Sequence, residues 1–189
     1  MQSESEEMLG GLLRASHLSS MEDLPALVAE HVAFVGFSQT MLYLADLQQQ
    51  FLVPLPGQRD EAGNPLERIR IDATMAGRAF RNVEVVQARP DAEPAEPYAG
   101  EGPRRLWVPL LVGTERVGVL GVTVPEVDET TLTRASRLAA LISLLVVSKR
   151  AFSDSYTLVV RARPMTMSAE VLWNLIPGRT FANNRVVVS

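Results

Sequence analysis

The stretch that most narrows what this chain can fold into is Arg105–Val124, RLWVPLLVGTERVGVLGVTV. Leu106, Val108, Leu110 and Val112 alternate with Trp107, Pro109 and Leu111, so a strand here is apolar on both faces and needs cover on both sides. Gly113-Thr114-Glu115-Arg116 supplies a tight turn, after which Val117, Val119, Gly121 and Thr123 alternate with Gly118, Leu120, Val122 and Val124. Gly118 and Gly121 have no Cβ and admit close approach of another backbone or of a ligand. The hairpin therefore belongs at the centre of a sheet, with helices on one face and something smaller on the other. Such an architecture serves a sensor as readily as an enzyme.

The flanking segments fill in the layers. Met8, Leu9, Leu12, Leu13 and Leu18 stand at helical spacing in a first helix that tolerates Gly10 and Gly11. Ser20 is placed to cap a second helix, whose stripe is Leu24, Leu27, Val28, His31, Val32 and Val35, and Gly36 ends it. Gln39–Asp46 and Phe51–Leu55 read as an antiparallel hairpin, with Pro54 marking an edge or an end. Residues 57–68 are loop by composition, Ile69–Ile71 a short strand, Ala73–Phe80 a short helix and Val83–Val86 a strand. Residues 89–104 form a proline-bearing loop long enough to suggest a lid. The longest helix starts behind Asp128 and Glu129 with Thr130 or Thr131 as cap. Its first apolar face is Leu132, Ala135, Leu138, Ala139, Ile142, Leu145 and Val146; Leu141, Leu144 and Val147 make a second. One sheet covers only one face, so the second needs another partner. The pattern continues through Phe152, Tyr156 and Val159 to Pro164, and a short amphipathic helix (Ala169, Leu172, Trp173, Ile176) precedes Pro177 and a strand from Arg185.

Composition narrows the chemistry. The net charge of −4 and pI near 5.3 offer no electrostatic reason for nucleic acid or anionic membrane as a partner. With no cysteine there is no thiolate nucleophile, disulfide or thiolate-bound metal. No run approaches a membrane span and the acidic N-terminus is unlike a signal peptide, which points to the cytoplasm. Lys149 is the only lysine, so the 18 basic residues include 17 arginines, a bias that a GC-rich genome accounts for before any function. His31 has no second ligand at helical spacing and reads as a hydrogen-bonded core histidine; His17 reads as surface. Asp72 with Asp46 or Glu84 could be called a carboxylate pair, but nothing in the sequence holds them together.

The order of elements, with MAGRAFRNVEVV and VPLLVGTERVGVLGV, resembles a GAF domain over about residues 20–150. The resemblance implies an α+β fold with a central antiparallel sheet of five or six strands. The N- and C-terminal helices would pack on one face, with loops and a short helix over a pocket on the other. The tail, TLVVRARPMTMSAEVLWNLIPGRTFANNRVVVS, resembles the linker helix and first strand of PPM-type bacterial serine/threonine phosphatases of the stress- and sporulation-regulator class; Ala169, Leu175, Ile176 and Pro177 match their entry helix, and Leu172 departs from it. Four segments follow from these resemblances: an N-terminal helix (1–19), a sensory domain (20–150), linker helices (151–176) and the start of a phosphatase domain (177–189). The acidic ligands for Mg or Mn in that family would lie beyond Ser189, so this chain is expected to hold no cofactor and to lack phosphatase activity.

Candidate pocket residues are Tyr43, Met75, Phe80 and Trp107, with Arg78 on the short helix as an anion contact. The competing reading makes the aromatics core and Arg78 a solvated charge. The function expected is a sensor of a small molecule that controls a C-terminal phosphatase acting on a phosphoprotein. The alternative is a ligand-free dimerisation and coupling module answering to a protein partner. Either would be a homodimer through the last long helix, by way of Leu141, Leu144, Val147, Phe152 and Tyr156.

Overall fold

A computed structural model of the chain describes residues 2–90, 102–160, 181–182 and 187–188. Helix α1 (Gln2–Ser16), α2 (Leu24–Val32) and a 3-10 turn (Ala33–Val35) lead into β1 (Ser38–Ala45), β2 (Phe51–Pro54), β3 (Ile69–Arg70), α3 (Met75–Asn82), β4 (Val86–Ala88), β5 (Arg104–Val112), β6 (Glu115–Val124), α4 (Glu129–Lys149) and α5 (Asp154–Val160). The six strands form one sheet in the order β3-β2-β1-β6-β5-β4, and every neighbouring pair is antiparallel. The chain is thus α+β, and the hairpin β5–β6 stands inside the sheet with β1 on one side and β4 on the other. A separate pairing joins Phe181–Ala182 to Val187–Val188.

The two faces carry different cores, because alternate residues of each strand point to opposite sides. On one face α1, α2 and α4 cover Leu42, Leu44, Leu106, Val108, Leu110, Leu120 and Val122, with Met8 and Leu12 of α1 in the same cluster. On the other, α3 covers Met41, Tyr43, Ala45, Trp107 and Val119. Gly11 lets α1 sit against α2: a Cβ there would lie 2.8 Å from the His31 ring. The His31 ring is half-buried, with Nδ1 2.8 Å from the Leu27 carbonyl oxygen, and His17 is exposed. Helices α1 and α4 run parallel. Arg134 donates to Glu4 and Ser5 at one end, and the Lys149 ammonium donates to the Ser16 and Ser19 carbonyls at the other.

Several local expectations are corrected. Leu18 is 94% exposed, because α1 has already ended at Ser16. Ser20 does not cap α2; its N–H and hydroxyl both donate to the Asp23 carboxylate, holding that carboxyl below its usual pKa. The cap of α4 is Asp128, whose carboxylate accepts from the Thr131 N–H at 2.6 Å. Thr74 caps α3 by accepting from the Gly77 N–H. α3 then runs to Asn82, so Val83 is a left-handed terminator (φ 57°) and the strand begins only at Val86. The β5–β6 turn is shorter than expected: Glu115 and Arg116 already belong to β6, and Gly113 turns the chain at φ 59°.

The last long helix differs most. The apolar run past Lys149 is not one continuous helix, since a 3-10 turn (Arg150–Phe152) and extended backbone at Ser153 break it. The Ser153 hydroxyl accepts from the Tyr156 N–H and starts α5, which folds back so that the Val160 carbonyl accepts from the Leu47 N–H. Tyr156 and Val159 consequently pack on the chain's own core rather than extending the second face of α4. α4 itself is long and apolar enough to cross a membrane by length and composition, contrary to the expectation that no run was; its Ala135–Val146 face lies on the sheet. The short helix expected at 169–176 and the loop at 91–101 lie outside the described residues.

Candidate functional site

Four of the five residues expected around a pocket, Tyr43, Met75, Phe80 and Trp107, meet on the α3 face, where they fill it. Tyr43 on β1 and Trp107 on β5 make an edge-to-face pair with centroids 6.1 Å apart at 62°, and Phe80 is sealed beneath α3. The Trp107 ring rests on Gly121, where an added Cβ would come within 2.6 Å of it. Met75 packs on the same cluster. Burial pushes the Tyr43 phenol up to about 12, against the pull of the nearby Arg105 guanidinium. Arg78 is apart from the other four; it is half-exposed and pairs with Glu84 at 2.9 Å.

The three carboxylates that could have formed a catalytic pair have separate tasks. Asp72 chelates the Arg70 guanidinium through both oxygens, at 2.9 and 2.6 Å, and that hydrogen bonding holds its carboxyl below the usual range. Glu84 accepts from Asn82 and Arg78, in that order of influence on its lowered pKa. Asp46 accepts from the backbone N–H groups of Gln50 and Phe51 and so shapes the β1–β2 turn. Among the described residues no cluster of His, Asp or Glu is placed to hold a metal ion.

Space for a ligand opens at the outer end of the same layer. A cleft of about 350 Å³ is bounded by Gln39, Met41, Arg59, Pro90 and Arg105 among others. Arg105 shares a face with Trp107, two residues along β5, and stands opposite Thr123 of β6. Its guanidinium donates to the Thr123 hydroxyl, to the Gln39 carboxamide oxygen and to the Pro90 carbonyl. One polar cluster thereby ties β5, β6 and β1 together at the cleft floor. The β1–β6 ladder shifts register between Ser38 and Met41, and Gln39 adopts φ 45°, a left-handed conformation that costs a non-glycine residue about 1–2 kcal/mol. This bulge places the Gln39 side chain against Arg105. The cluster presents hydrogen-bond donors of Arg105 and acceptors of Gln39 and Thr123 to the cleft.

Arg105, Gln39 and Thr123 form the polar cluster at the cleft that sequence patterning passed over. The two-residue spacing from Trp107 placed Arg105 on the pocket face, but a bulge leaves no period of its own in a sequence.

No protein-family profile and no curated protein matches this chain. Solved structures do. The GAF domain of an Acinetobacter phosphoenolpyruvate-protein phosphotransferase is similar at 17% identity, over 78% of this chain and 95% of that one, with a TM-score of 0.60. The corresponding Coxiella burnetii domain is 14% identical over 79% and 96%, at 0.62. A free methionine-R-sulfoxide reductase from Neisseria meningitidis, solved with its substrate, is 20% identical over 79% and 92%, at 0.56. Sheet order, helix placement and these likenesses agree that the chain has the GAF fold.

Proposed function

We propose that this chain is a non-catalytic regulatory domain that senses a small polar molecule in the cleft at Gln39 and Arg105. The supporting observation is the Arg105 cluster, which joins the three central strands on the face opposite α4. A molecule that re-sorts those hydrogen bonds would shift strands on which α4 is packed, giving a mechanical route to the C-terminal side. Tyr43, Met75, Phe80 and Trp107 belong in this reading to the apolar core that the cleft residue Met41 shares, and Arg78 lies outside it. The output we propose is a PPM-type phosphatase following this segment and acting on a phosphoprotein, which the resemblance of the tail alone supports. Homodimerisation through α4 would couple two such outputs.

One observation favours a second reading, a ligand-free coupling module: the interior of the α3 layer is occupied by its own side chains. Native mass spectrometry of freshly purified protein separates the two. The sensor reading expects a bound small molecule, or a ligand-dependent rise in melting temperature across a metabolite panel, that Arg105→Gln abolishes. A bare protein that no panel member stabilises sinks it in favour of the second.

A further inference from the structure

A second concavity of about 430 Å³ lies away from the Arg105 cleft, lined by Gln49, Gln50, Phe51, Arg70, Ile71, Asp72 and Arg81. Its charge runs against that of the chain. Arg70 and Arg81 face it with Asp72 as the only carboxylate in the lining, whereas the whole chain carries −4. Two further guanidiniums stand at its border. Arg116 lies over the Phe80 ring at 5.2 Å and donates to the Arg81 carbonyl and to the Gln49 carboxamide oxygen, both from residues of the lining. Arg68 lies over the ring of Phe51 at 4.5 Å. Three segments therefore bring arginines to this region: β3 and its approach, the last turn of α3 and the start of β6.

Their partners matter as much as their number. Arg70 commits two of its five donors to Asp72. Arg116 is oriented by Phe80 and by its two hydrogen bonds, so little side-chain freedom remains to be lost. Among the described residues no hydrogen bond or ion pair engages the Arg81 guanidinium. The turn opposite is rigidly built, since the buried Asp46 carboxylate accepts from the Gln50 and Phe51 N–H groups at 2.7 and 2.9 Å, and Gln49 is held at φ 52°. Two guanidiniums in the lining, Arg70 and Arg81, with Arg116 hydrogen-bonded to lining residues beside them, offer the paired N–H donors that phosphate oxygens accept.

We infer that this cleft is an anion site that takes a phosphate group, held by Arg81 and Arg116 with Arg70 beside them. The volume suits a small phosphorylated molecule, and the same chemistry would be offered by a phosphorylated serine on a protein. The inference is independent of the Arg105 cleft.

The test is titration of the folded chain at low salt, followed by amide chemical shifts, with inorganic pyrophosphate in one arm and a short phosphoserine peptide in the other. Saturable shifts at Gln49, Gln50 and Arg81 are expected in at least one arm, and the tighter arm identifies the source of the phosphate. Arg81→Gln and Arg116→Gln should each weaken binding by about tenfold, as loss of a charge-assisted pair requires. Arg78→Gln, whose guanidinium already pairs with Glu84, and Arg105→Gln should leave it within about twofold. The inference is overturned by the absence of saturable shifts in both arms, or by binding that survives both Arg81→Gln and Arg116→Gln while their melting curves match the parent's.

Discussion

Burial of Tyr43 has a consequence for alkaline stability. Its phenol, at about 10 in an unfolded chain, is raised to about 12 by desolvation, so the folded protein favours the neutral form. The associated stability is complete below pH about 10 and is lost as the pH rises through about 12, an effect on the order of 2–3 kcal/mol. Urea midpoints measured from pH 8 to 12 should fall steeply in the parent and less steeply in Tyr43→Phe. Some slope will remain, because burial also raises the Tyr156 phenol. Equal slopes would mean that Tyr43 ionises as easily folded as unfolded. Residue-scale features were legible where they followed a period. Alternation along β1 and β5 put Tyr43 and Trp107 on one face, whereas the partner of Arg105 depended on a bulge at Gln39 that no alternation announces.

At the scale of elements, α3 is the piece whose seating leaves the least slack. A Cβ on Gly77 would stand 2.0 Å from the Ile71 carbonyl oxygen, which is backbone and cannot swing aside. Alanine is the better helix former by about 1 kcal/mol, so an unpacked α3 would be strengthened by Gly77→Ala. The packed α3 should instead be destabilised by roughly 1–3 kcal/mol, read as a lower denaturant midpoint at unchanged m-value. A higher midpoint would contradict the close seating of α3 on the end of β3. Element types were largely readable because long apolar periods dominate them; their ends were not. Asp128 and Ser153 act through single side-chain hydrogen bonds and Asp23 through two from Ser20, and several residues nearby had the chemistry to do the same. The Ser153 break is the instructive case: Phe152, Tyr156 and Val159 keep a helical spacing across it, yet the chain gains more by folding α5 onto β1 and β2.

For the whole molecule the open question is what meets the outer side of the helical layer. Leu144 is 59% exposed on α4 and Leu13 53% exposed on the parallel α1, while Leu141 and Val147 are partly covered by the chain's own core. The proposed homodimer therefore depends most on Leu144; Tyr156 has an intramolecular partner, and the Phe152 side chain is outside the described part. Leu144→Glu, alone and with Val147→Glu, should halve the mass seen by light scattering at high micromolar concentration, with little loss of fold from the single change because that side chain is already half in water. A monomeric parent, or a mutant that stays dimeric, removes the basis for coupling through α4. The division of the chain between residues 19 and 20 was a sequence-based boundary. Met8 and Leu12 nonetheless share one core with the sheet, something a periodic stripe cannot reveal because it does not say what it packs against.

At their C-terminal ends, away from the Arg134 contacts with Glu4 and Ser5, α1 and α4 are latched by a single ammonium. Lys149 is the chain's only lysine, and its three donors serve two carbonyls, that of Ser16 at the end of α1 and that of Ser19 just beyond it. Acylation of side-chain amines would thus touch this protein at one point, converting a cation that ties two helices into a neutral amide with a single donor. One covalent event at the junction where α4 gives way to α5 would loosen the N-terminal helix and leave every arginine-built contact in the molecule intact.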